Sequence, residues 1–407
     1  MLTVDQARDR ILSHAPALRT IEVPLAGAAG LVLARDVMAE RDLPAFDNSA
    51  MDGFAVRARD LQSSSPANPA RLQLLGEVRA GDVYRGALLP GTAVRIMTGA
   101  PLPAGADSVI EVEETEVNGE TVLARLALAA GRNVRPAGTD IGAGELALKA
   151  GTYLSPAQIA LLAALGVSHP PCVARPRVAV VATGDELVGV ETEPGPGQVV
   201  EVAGPALGAA LLQVGSEPVL VPRAHDTADD VERALREAAL ADVIITVGGV
   251  SMGEYDLVRE VAQRLGELDF WRVAMRPGKP LAHGAVLGRP FIGLPGNPVS
   301  ALVGFEVFVL PLLMAMSGRA GWKRQEVEAE LAFPLTTPAG LRTFARARLE
   351  SRPGRRPLAH PATGQASYQL LALATSNALL DIPETAAHLE AGAATMAIRI
   401  DQPPSPP

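Results

Sequence analysis

The sequence predicts a multidomain protein that combines a doubly wound, mainly parallel α/β domain with β-rich domains. The chain of 407 residues is longer than one ordinary core, because a domain usually holds roughly 100–150 residues. Between residues 175 and 320, apolar strands alternate with helical segments, which is typical of a doubly wound sheet. On both sides of that region, turn residues separate short strands, which is typical of β-rich domains.

The domain boundaries follow these changes of pattern. A mixed α/β domain I is discontinuous, because a β-rich domain II is inserted into it. The α/β domain III follows, and then a β-rich, β-barrel-like domain IV with a Pro-rich tail. The predicted ranges are 1–45 with 136–174 for domain I, 46–135 for domain II, 175–320 for domain III, 321–402 for domain IV and 403–407 for the tail.

Local signals predict individual elements. Thr3 and Gln6 form a capping-box pattern that opens a helix. Asn118-Gly119 predicts a tight hairpin turn, and Thr227 predicts the start of a helix. The buried strands of domain III are predicted at 178–182, 219–221, 243–247 and 291–294.

Composition excludes some classes of function. Hydrophobic residues make up 48% of the chain, which is enough for packed cores. The net charge of −9 argues against nucleic-acid binding, which needs clustered cations to neutralise phosphates. Cys172 is the only cysteine, so no internal disulfide forms, as suits a reducing cytoplasm. Charged residues interrupt the N-terminal segment, so no signal peptide is predicted and we expect a cytoplasmic protein.

One apolar run, Val299 to Met316, approaches the length of a membrane span. Glu306 and Pro311 interrupt it, and Asn297-Pro298 is a helix-start signal before it. We therefore expect a helix buried against the sheet and no contact with a membrane.

Three loops that follow apolar strands predict a binding site. They span 183–186, 248–254 and 295–300, and each combines Gly with a hydroxyl, amide or carboxylate group. In an open α/β sheet, ligands bind beyond the carboxyl ends of the strands. Gly lets backbone N–H groups approach a ligand closely. One such loop is equally well read as a simple turn, but three at one sheet edge predict a polar crevice.

Charged residues divide into two groups. Asp185, Glu186, Asp226 and Asp256 fall near strand ends or in loops, where carboxylate oxygens suit Mg²⁺. For Asp226, a role as a turn residue before the next helix is equally compatible with the sequence. Which of these acids would bind the metal directly is left open. The six histidines show no zinc-ligand spacing, although His225 lies next to one of these acids.

The second group is a cationic loop at residues 276–280, with Arg276 and Lys279 between prolines and a glycine. Proline fixes φ, so both cations project from a rigid loop. A rigid cationic loop near carboxylates predicts an oxyanion site. The alternative is a solvated basic turn.

Several motifs, taken together, resemble the molybdopterin molybdenumtransferase family, which includes the C-terminal domain of gephyrin. The resemblance covers nearly the whole chain, with the motifs in the order of the family. The motifs are DNSAMDGFAV at 47–56, VRIMTGAPLPAGAD at 94–107, TGDEL at 183–187, GGVSMGEYD at 248–256, RPGKP at 276–280 and LPGNPVSA at 294–301.

The resemblance implies four domains and a homodimer with an active site shared between subunits. It implies insertion of molybdate into adenylylated molybdopterin, with Mg²⁺-dependent release of AMP, by a cytoplasmic transferase of molybdenum cofactor biosynthesis. The implied partners are molybdopterin adenylyltransferase and molybdoenzyme-maturation proteins.

Site residues are carried over motif by motif. Asp52 and Thr98 are implied to act from the partner subunit. The implied catalytic residues are Asp52, Thr98, Asp140, Glu186, Asp226 and Asp256, the last three also as metal ligands. The implied cofactor-binding residues are Thr183, Gly184, Asp185, Gly248, Gly249, Ser251, Gly253, Arg276, Lys279, Pro295, Gly296, Asn297, Pro298 and Ser300.

The chain departs from the family pattern at 199–203. The family usually has a polar Asp-(Ser/Thr)-Asn run there, whereas this chain has Val202 and Ala203 in place of the hydroxyl and amide. Loss of those hydrogen bonds predicts weaker ligand binding. A non-catalytic pterin-binding or scaffold paralogue therefore stays open as an alternative. Molybdopterin adenylyltransferase is a second alternative, because its single domain resembles residues 175–320 of this chain. Tungstate in place of molybdate is equally compatible with the sequence.

Overall fold

The computed structural model describes residues 1–249 and 257–405. The chain divides into two compact units. The large unit contains Met1–Ile21, Gly30–Ala34 and Pro171–Pro407, and the small unit contains Glu22–Ala29 and Arg35–Pro170.

The helices of the described residues follow the predicted starts. Thr3 caps the first helix in a capping box with Gln6, and the Thr227 side chain caps the fourth, as predicted. The α-helices are α1 (Val4–Leu12), α2 (Pro156–Ala164), α3 (Ala203–Gln213), α4 (Ala228–Ala238), α5 (Leu257–Leu265), α6 (Pro298–Gly304), α7 (Leu310–Met316) and α8 (Leu370–Ala374).

The strands of the described residues vary in length from two to nine residues. In chain order they are β1 (Thr20–Glu22), β2 (Val37–Met38), β3 (Asn48–Ser49), β4 (Gly53–Val56), β5 (Ala70–Val78), β6 (Thr92–Ile96), β7 (Ser108–Glu111), β8 (Thr115–Asn118), β9 (Thr121–Ala124), β10 (Val134–Arg135), β11 (Leu146–Leu148), β12 (Pro171–Val173), β13 (Arg177–Ala182), β14 (Leu187–Val188), β15 (Val199–Val200), β16 (Glu217–Leu220), β17 (Val243–Val247), β18 (Gly266–Arg272), β19 (Met275–Arg276), β20 (Pro280–Val286), β21 (Arg289–Leu294), β22 (Glu326–Leu331), β23 (Leu335–Thr336), β24 (Arg342–Glu350), β25 (Leu358–Pro361), β26 (Ala378–Ile382), β27 (His388–Leu389) and β28 (Ala394–Arg399).

The central sheet of the large unit has the order β16-β13-β17-β21-β20-β18. The first four strands are parallel, and the last two pair antiparallel. Helices α3 and α6 contribute to the core on one face, and α4 and α5 pack on the other. The predicted doubly wound, mainly parallel sheet is confirmed.

The long apolar run is a core element of the large unit. Pro298–Met316 is apolar enough to pass for a membrane span, with a mean hydropathy of 2.2, but 78% of it is buried inside the protein. A π-helical turn, Phe305–Val309, joins α6 to α7. The predicted buried helix is confirmed.

A closed barrel follows the central sheet. Strands β24, β25, β22, β28 and β26 pair in that order, and pairing of β24 with β26 closes the ring. The predicted barrel-like C-terminal region is confirmed. The short strand β19, which opens the cationic loop, pairs with β24, so that Arg276 lies opposite Thr343.

The small unit contains a six-stranded mixed sheet with the order β7-β4-β6-β5-β9-β8. Its predicted hairpin is confirmed, because Asn118 pairs with Thr121 around Gly119, which has φ = 61°. A positive φ of this size is the reason for glycine in such a turn.

Candidate functional site

The three predicted loops leave the same edge of the central sheet. In the register of β13, β17 and β21, Ala182 lies opposite Val247, and Val247 lies opposite Leu294. The loops that begin at Thr183, Gly248 and Pro295 are therefore neighbours. The second loop is described only as far as Gly249, so its predicted site residues Ser251, Gly253 and Asp256 lie outside the described residues.

Close packing of the first two loops requires a glycine. Gly248 has φ = 95°, and a Cβ at this position would lie 3.0 Å from Thr183 Oγ1 and 3.1 Å from its carbonyl oxygen. The Gly248 N–H also donates to the Leu294 carbonyl at 3.1 Å. A larger residue here would push the loops apart, so the glycine motif fixes the shape of the site.

Beyond this edge lies a cavity of about 1360 Å³, which we call the carboxylate cavity. Glu186 and Asp226 line it and are exposed to solvent. Its other predicted site residues are Thr183, Gly184, Gly248, Gly249, Gly296, Asn297 and Pro298. The cavity also contains Glu201, from the divergent segment 199–203, and Glu260 on α5, neither of which was predicted as a site residue. Neither has a local motif, and only the fold brings these two acids to the loops.

Asp185 differs from its neighbour Glu186, because it is not among the described residues that line the cavity. Its carboxylate accepts hydrogen bonds from His225 Nδ1 at 2.9 Å and from the Asp226 N–H at 3.2 Å. In return, the Asp185 N–H donates to Asp226 Oδ2 at 3.3 Å. The bond from His225 lowers the pKa of Asp185. Asp185 therefore orients Asp226.

The donor set of the cavity fits Mg²⁺. Among the residues described here, no three His, Cys, Asp or Glu side chains form a ready metal cluster. Mg²⁺ is usually held by one or two carboxylates, with water and substrate phosphates completing the shell. Glu186 and Asp226 supply two carboxylates in one cavity. This arrangement is compatible with a metal that binds together with a phosphorylated ligand.

One wall of the carboxylate cavity consists of the divergent segment 199–203. Val202 is the N-cap of α3 and makes no capping bond with its side chain. Instead, Glu201 Oε1 accepts a hydrogen bond from the Gly204 N–H at 2.8 Å. The helix start is therefore satisfied by Glu201, while Val202 and Ala203 present apolar groups to the cavity.

The cationic loop lines a second pocket of about 560 Å³, which we call the cationic cleft. Arg276 and Lys279 line it together with the predicted residues Pro295 and Ser300. Asn297 and Tyr368 line both the cleft and the carboxylate cavity. Cations and carboxylates thus lie in adjoining pockets of the large unit.

The barrel contributes a further cation, Arg346, which the sequence motifs did not indicate. It is 1% exposed, and its Nε atom has no hydrogen-bond partner. Its Nη2 atom donates to the carbonyls of Gly364 and Ala366 at 2.7 and 3.1 Å. Arg346 and Arg276 line one small cavity of about 50 Å³. Burial and the charge of Arg276 lower the pKa of Arg346.

A buried guanidinium without a carboxylate partner is costly unless an anion compensates its charge. Among the described residues, no salt bridge involves Arg346. This supports the prediction of an oxyanion site and adds a residue to it. No motif around Arg346 could have indicated this, because pairing of β19 with β24 brings the two segments together.

The small unit carries the other implied catalytic residues. Asp52 Oδ1 accepts hydrogen bonds from the Thr98 N–H and hydroxyl, both at 2.7 Å, and these bonds lower the pKa of Asp52. Pairing of β4 with β6 places Gly53 opposite Ile96 and so brings Asp52 close to Thr98. Gly53 also permits the pairing of β4 with β7, because a Cβ there would lie 2.0 Å from the Ile110 carbonyl oxygen. Asp140 is exposed in another loop.

The large unit has the architecture of a multidomain α/β enzyme. Its site places carboxylates and cations side by side. Three family models match the chain: the MoeA N-terminal region (domain I and II) over 2–166, a probable molybdopterin binding domain over 179–315, and the MoeA C-terminal region (domain IV) over 328–396.

Curated relatives match along most of the chain. Molybdopterin molybdenumtransferase 2 of Mycobacterium tuberculosis is 41% identical over 399 residues, covering 96% of this chain and 98% of the relative. Molybdopterin molybdenumtransferase of Haemophilus influenzae is 38% identical, with 80% of each chain covered. The chain belongs to the molybdopterin molybdenumtransferase family, and the resemblance predicted from its motifs is confirmed.

A solved structure supports the same assignment. The molybdopterin biosynthesis MoeA protein from Pyrococcus horikoshii is 31% identical, with a TM-score of 0.85 over 98% of this chain and 99% of that chain. The likeness extends over both compact units. The fold class predicted from the sequence therefore agrees with that of a solved relative.

Proposed function

We propose that this protein inserts molybdate into adenylylated molybdopterin, with Mg²⁺-dependent release of AMP. One observation carries the proposal: a carboxylate cavity and a cationic cleft adjoin, and Asn297 and Tyr368 line both. A substrate with a phosphoanhydride and a dithiolene could place one group in each pocket. Family membership supports the same reaction.

In this proposal, the two pockets have different tasks. Glu186 and Asp226 would hold Mg²⁺ in the carboxylate cavity. Bound Mg²⁺ would neutralise charge that develops on the phosphate oxygens as the anhydride breaks. Arg276 and Lys279 hold the molybdate dianion in the cationic cleft, for which charge-assisted hydrogen bonds are the strong contacts. Arg346 adds positive charge from the small cavity that it shares with Arg276.

The proposed reaction needs no oxidant or reductant. Water attacks the anhydride, so that AMP leaves and molybdopterin keeps its own phosphate. The two dithiolene thiols bond to molybdenum, and their protons leave with one molybdate oxygen as water. The positioned cations favour this step, because they hold the dianion beside the sulfur atoms.

We further propose a cytoplasmic homodimer with a shared site. The family resemblance supports this, because it assigns Asp52 and Thr98 to the partner subunit's contribution. Asp52 suits an ionised role, since its two bonds from Thr98 favour the carboxylate form. Molybdopterin adenylyltransferase would supply the substrate, and molybdoenzyme-maturation proteins would take up the product.

The test is AMP release from the purified protein with adenylylated molybdopterin, Mg²⁺ and molybdate. Molybdate-dependent AMP release together with formation of active cofactor is expected. Tight pterin binding without AMP release would contradict the proposal and favour a non-catalytic paralogue, with the apolar residues Val202 and Ala203 as the first positions to revert. Replacing molybdate with tungstate in the same assay compares the two anions.

The shared site has its own test. The variants Asp52→Ala and Glu186→Ala are each expected to be inactive as purified proteins. After subunit exchange between them, about one site in each mixed dimer would combine two intact halves, so partial activity should return. Verified exchange without any recovery would contradict the shared site while leaving the reaction itself untouched.

A further inference from the structure

We propose that Tyr368 is a stacking platform for the bicyclic nitrogen ring of the substrate, either its adenine or its pterin. The inference rests on the proposed function and adds a binding residue to it. Among the described residues that line the carboxylate cavity or the cationic cleft, Tyr368 is the single aromatic side chain. Only 3% of the residues are aromatic, so an aromatic side chain that lines both pockets indicates a role in ligand binding.

The ring of Tyr368 faces solvent rather than a core. It is 73% exposed, close to the 77% of Leu371 three residues further on. Leaving an aromatic ring in water forgoes the free energy of its burial. A ligand that covers the ring would recover that free energy, which a solvent-facing Ser or Asn could not provide.

The loop that carries Tyr368 is well anchored, so its exposure does not come from a loose backbone. The Ala366 N–H donates to Gln369 Oε1 at 2.8 Å, and the Gln369 N–H donates to the Ala366 carbonyl at 3.1 Å. Gln365 Nε2 donates to the Arg346 carbonyl at 2.9 Å. The platform is therefore fixed to the barrel strand that supplies the buried cation.

The carboxylate cavity has apolar surfaces that suit a flat ring. Leu370, next to Tyr368, lines it, and so do Val199, Val200 and Val202 from the divergent wall. A purine or a pterin has two apolar faces and a polar edge, so it gains from such surfaces even where hydrogen-bond partners are missing. Stacking on Tyr368 would offset the binding free energy that is lost because the apolar side chains at positions 202 and 203 make no hydrogen bonds to the ligand.

The experiment measures binding by calorimetry with two separate probes, AMP and unsubstituted pterin. Tyr368→Ala should weaken binding of one probe by roughly 5- to 100-fold, because base–aromatic stacking is of this order. Tyr368→Phe keeps the ring and should bind like the wild type. Phe333→Ala is the matched control, since Phe333 is also exposed, at 61%, and lines neither pocket. The probe that loses affinity identifies the ring that stacks.

Activity measured on the same proteins separates the two proposals. If AMP release is molybdate-dependent but Tyr368→Ala changes neither probe binding nor KM, stacking is overturned and the transferase stands. If the nucleotide or pterin binds and Tyr368→Ala weakens it, but no transfer occurs, stacking stands and the proposed reaction fails. If Tyr368→Phe loses as much affinity as Tyr368→Ala, the hydroxyl is responsible and stacking is overturned. Neither binding nor transfer by the wild type would overturn both.

Discussion

The carboxylate cavity and the cationic cleft lie side by side in the large unit but are built in different ways. The cavity is made of loops that follow parallel strands, with acids and glycines adjacent in sequence. The cleft is built from the cationic loop, the loop that begins at Pro295 and the segment 365–368. Arg346, on a barrel strand further along the chain, lies in a separate small cavity that it shares with Arg276, and it is buried without a carboxylate partner.

This difference predicts how substitutions affect the chemistry and the packing of the two regions. Glu186 and Asp226 are exposed, so neutralising them alters chemistry with little effect on packing. Arg346 is buried and donates to two loop carbonyls, so its replacement changes charge and loop structure together. Variants of the exposed residues in each pocket therefore give the cleaner comparison.

The largest expected effect comes from Glu186→Gln in the carboxylate cavity. Loss of one carboxylate should weaken the metal site and lower turnover by about 100- to 1000-fold at subsaturating Mg²⁺, because metal charge stabilisation contributes several kcal/mol. AMP release against Mg²⁺ concentration measures this. The control Glu191→Gln changes an exposed acid outside the cavity. Equal activity of both variants would contradict a metal role for Glu186.

A smaller effect is expected for Lys279→Ala in the cationic cleft. The KM for molybdate should rise by roughly 10- to 100-fold, since a hydrogen bond to a charged group contributes about 1.5–3 kcal/mol. AMP binding should be unchanged, which would separate the cleft from the cavity. Arg272→Ala removes a nearby exposed cation that lines neither pocket and serves as the control. Weakened AMP binding instead would mean that the cleft holds phosphate.

Acid should destabilise the fold through His283, on the strand that follows the cationic loop. Burial, with the charge of His14, lowers the pKa of His283 to about 4. The unfolded chain therefore binds more protons between pH 6.5 and 4, so stability falls as pH falls through this window. From pH 7 to pH 5 the loss should be about 2 kcal/mol.

Denaturant unfolding at several pH values tests this. His283→Phe, which keeps a ring against Trp271, should have a shallower dependence on pH, whereas His169→Phe at an exposed position should not. The same slope in wild type and His283→Phe would contradict the assignment. Binding measured over the same pH range compares the two pockets. If anion binding is lost at a higher pH than nucleotide binding, the cleft is the less acid-stable pocket.

The smallest effect concerns the divergent wall. Glu201→Ala removes the bond to the Gly204 N–H and should lower stability by about 1 kcal/mol, as loss of a helix cap does. Glu201→Gln keeps an acceptor oxygen and should retain most of that stability. Thermal unfolding compares the two variants. If both lose the same amount, the charge of Glu201 rather than its hydrogen bond supports the helix start.

Local patterns predicted the carboxylate cavity well. Where a strand of buried residues is followed by Gly and acids, as at Thr183 to Glu186, the sequence predicts both the strand and the point at which it ends. Since the carboxyl ends of parallel strands meet at one edge, the sequence alone predicted that the three loops lie next to one another. The role of Asp185 was less visible, because its bonds to His225 and Asp226 depend on how two loops meet.

The sequence by itself determined the alternation of strands and helices, the glycine and proline loops, and the family, because each depends on residues close together in the chain. Only the tertiary structure decided that Arg346 lies with Arg276 and that Tyr368 lines both pockets. The physical reason is that strand pairing and barrel closure join segments far apart in sequence. Such contacts depend on packing, which no local pattern records.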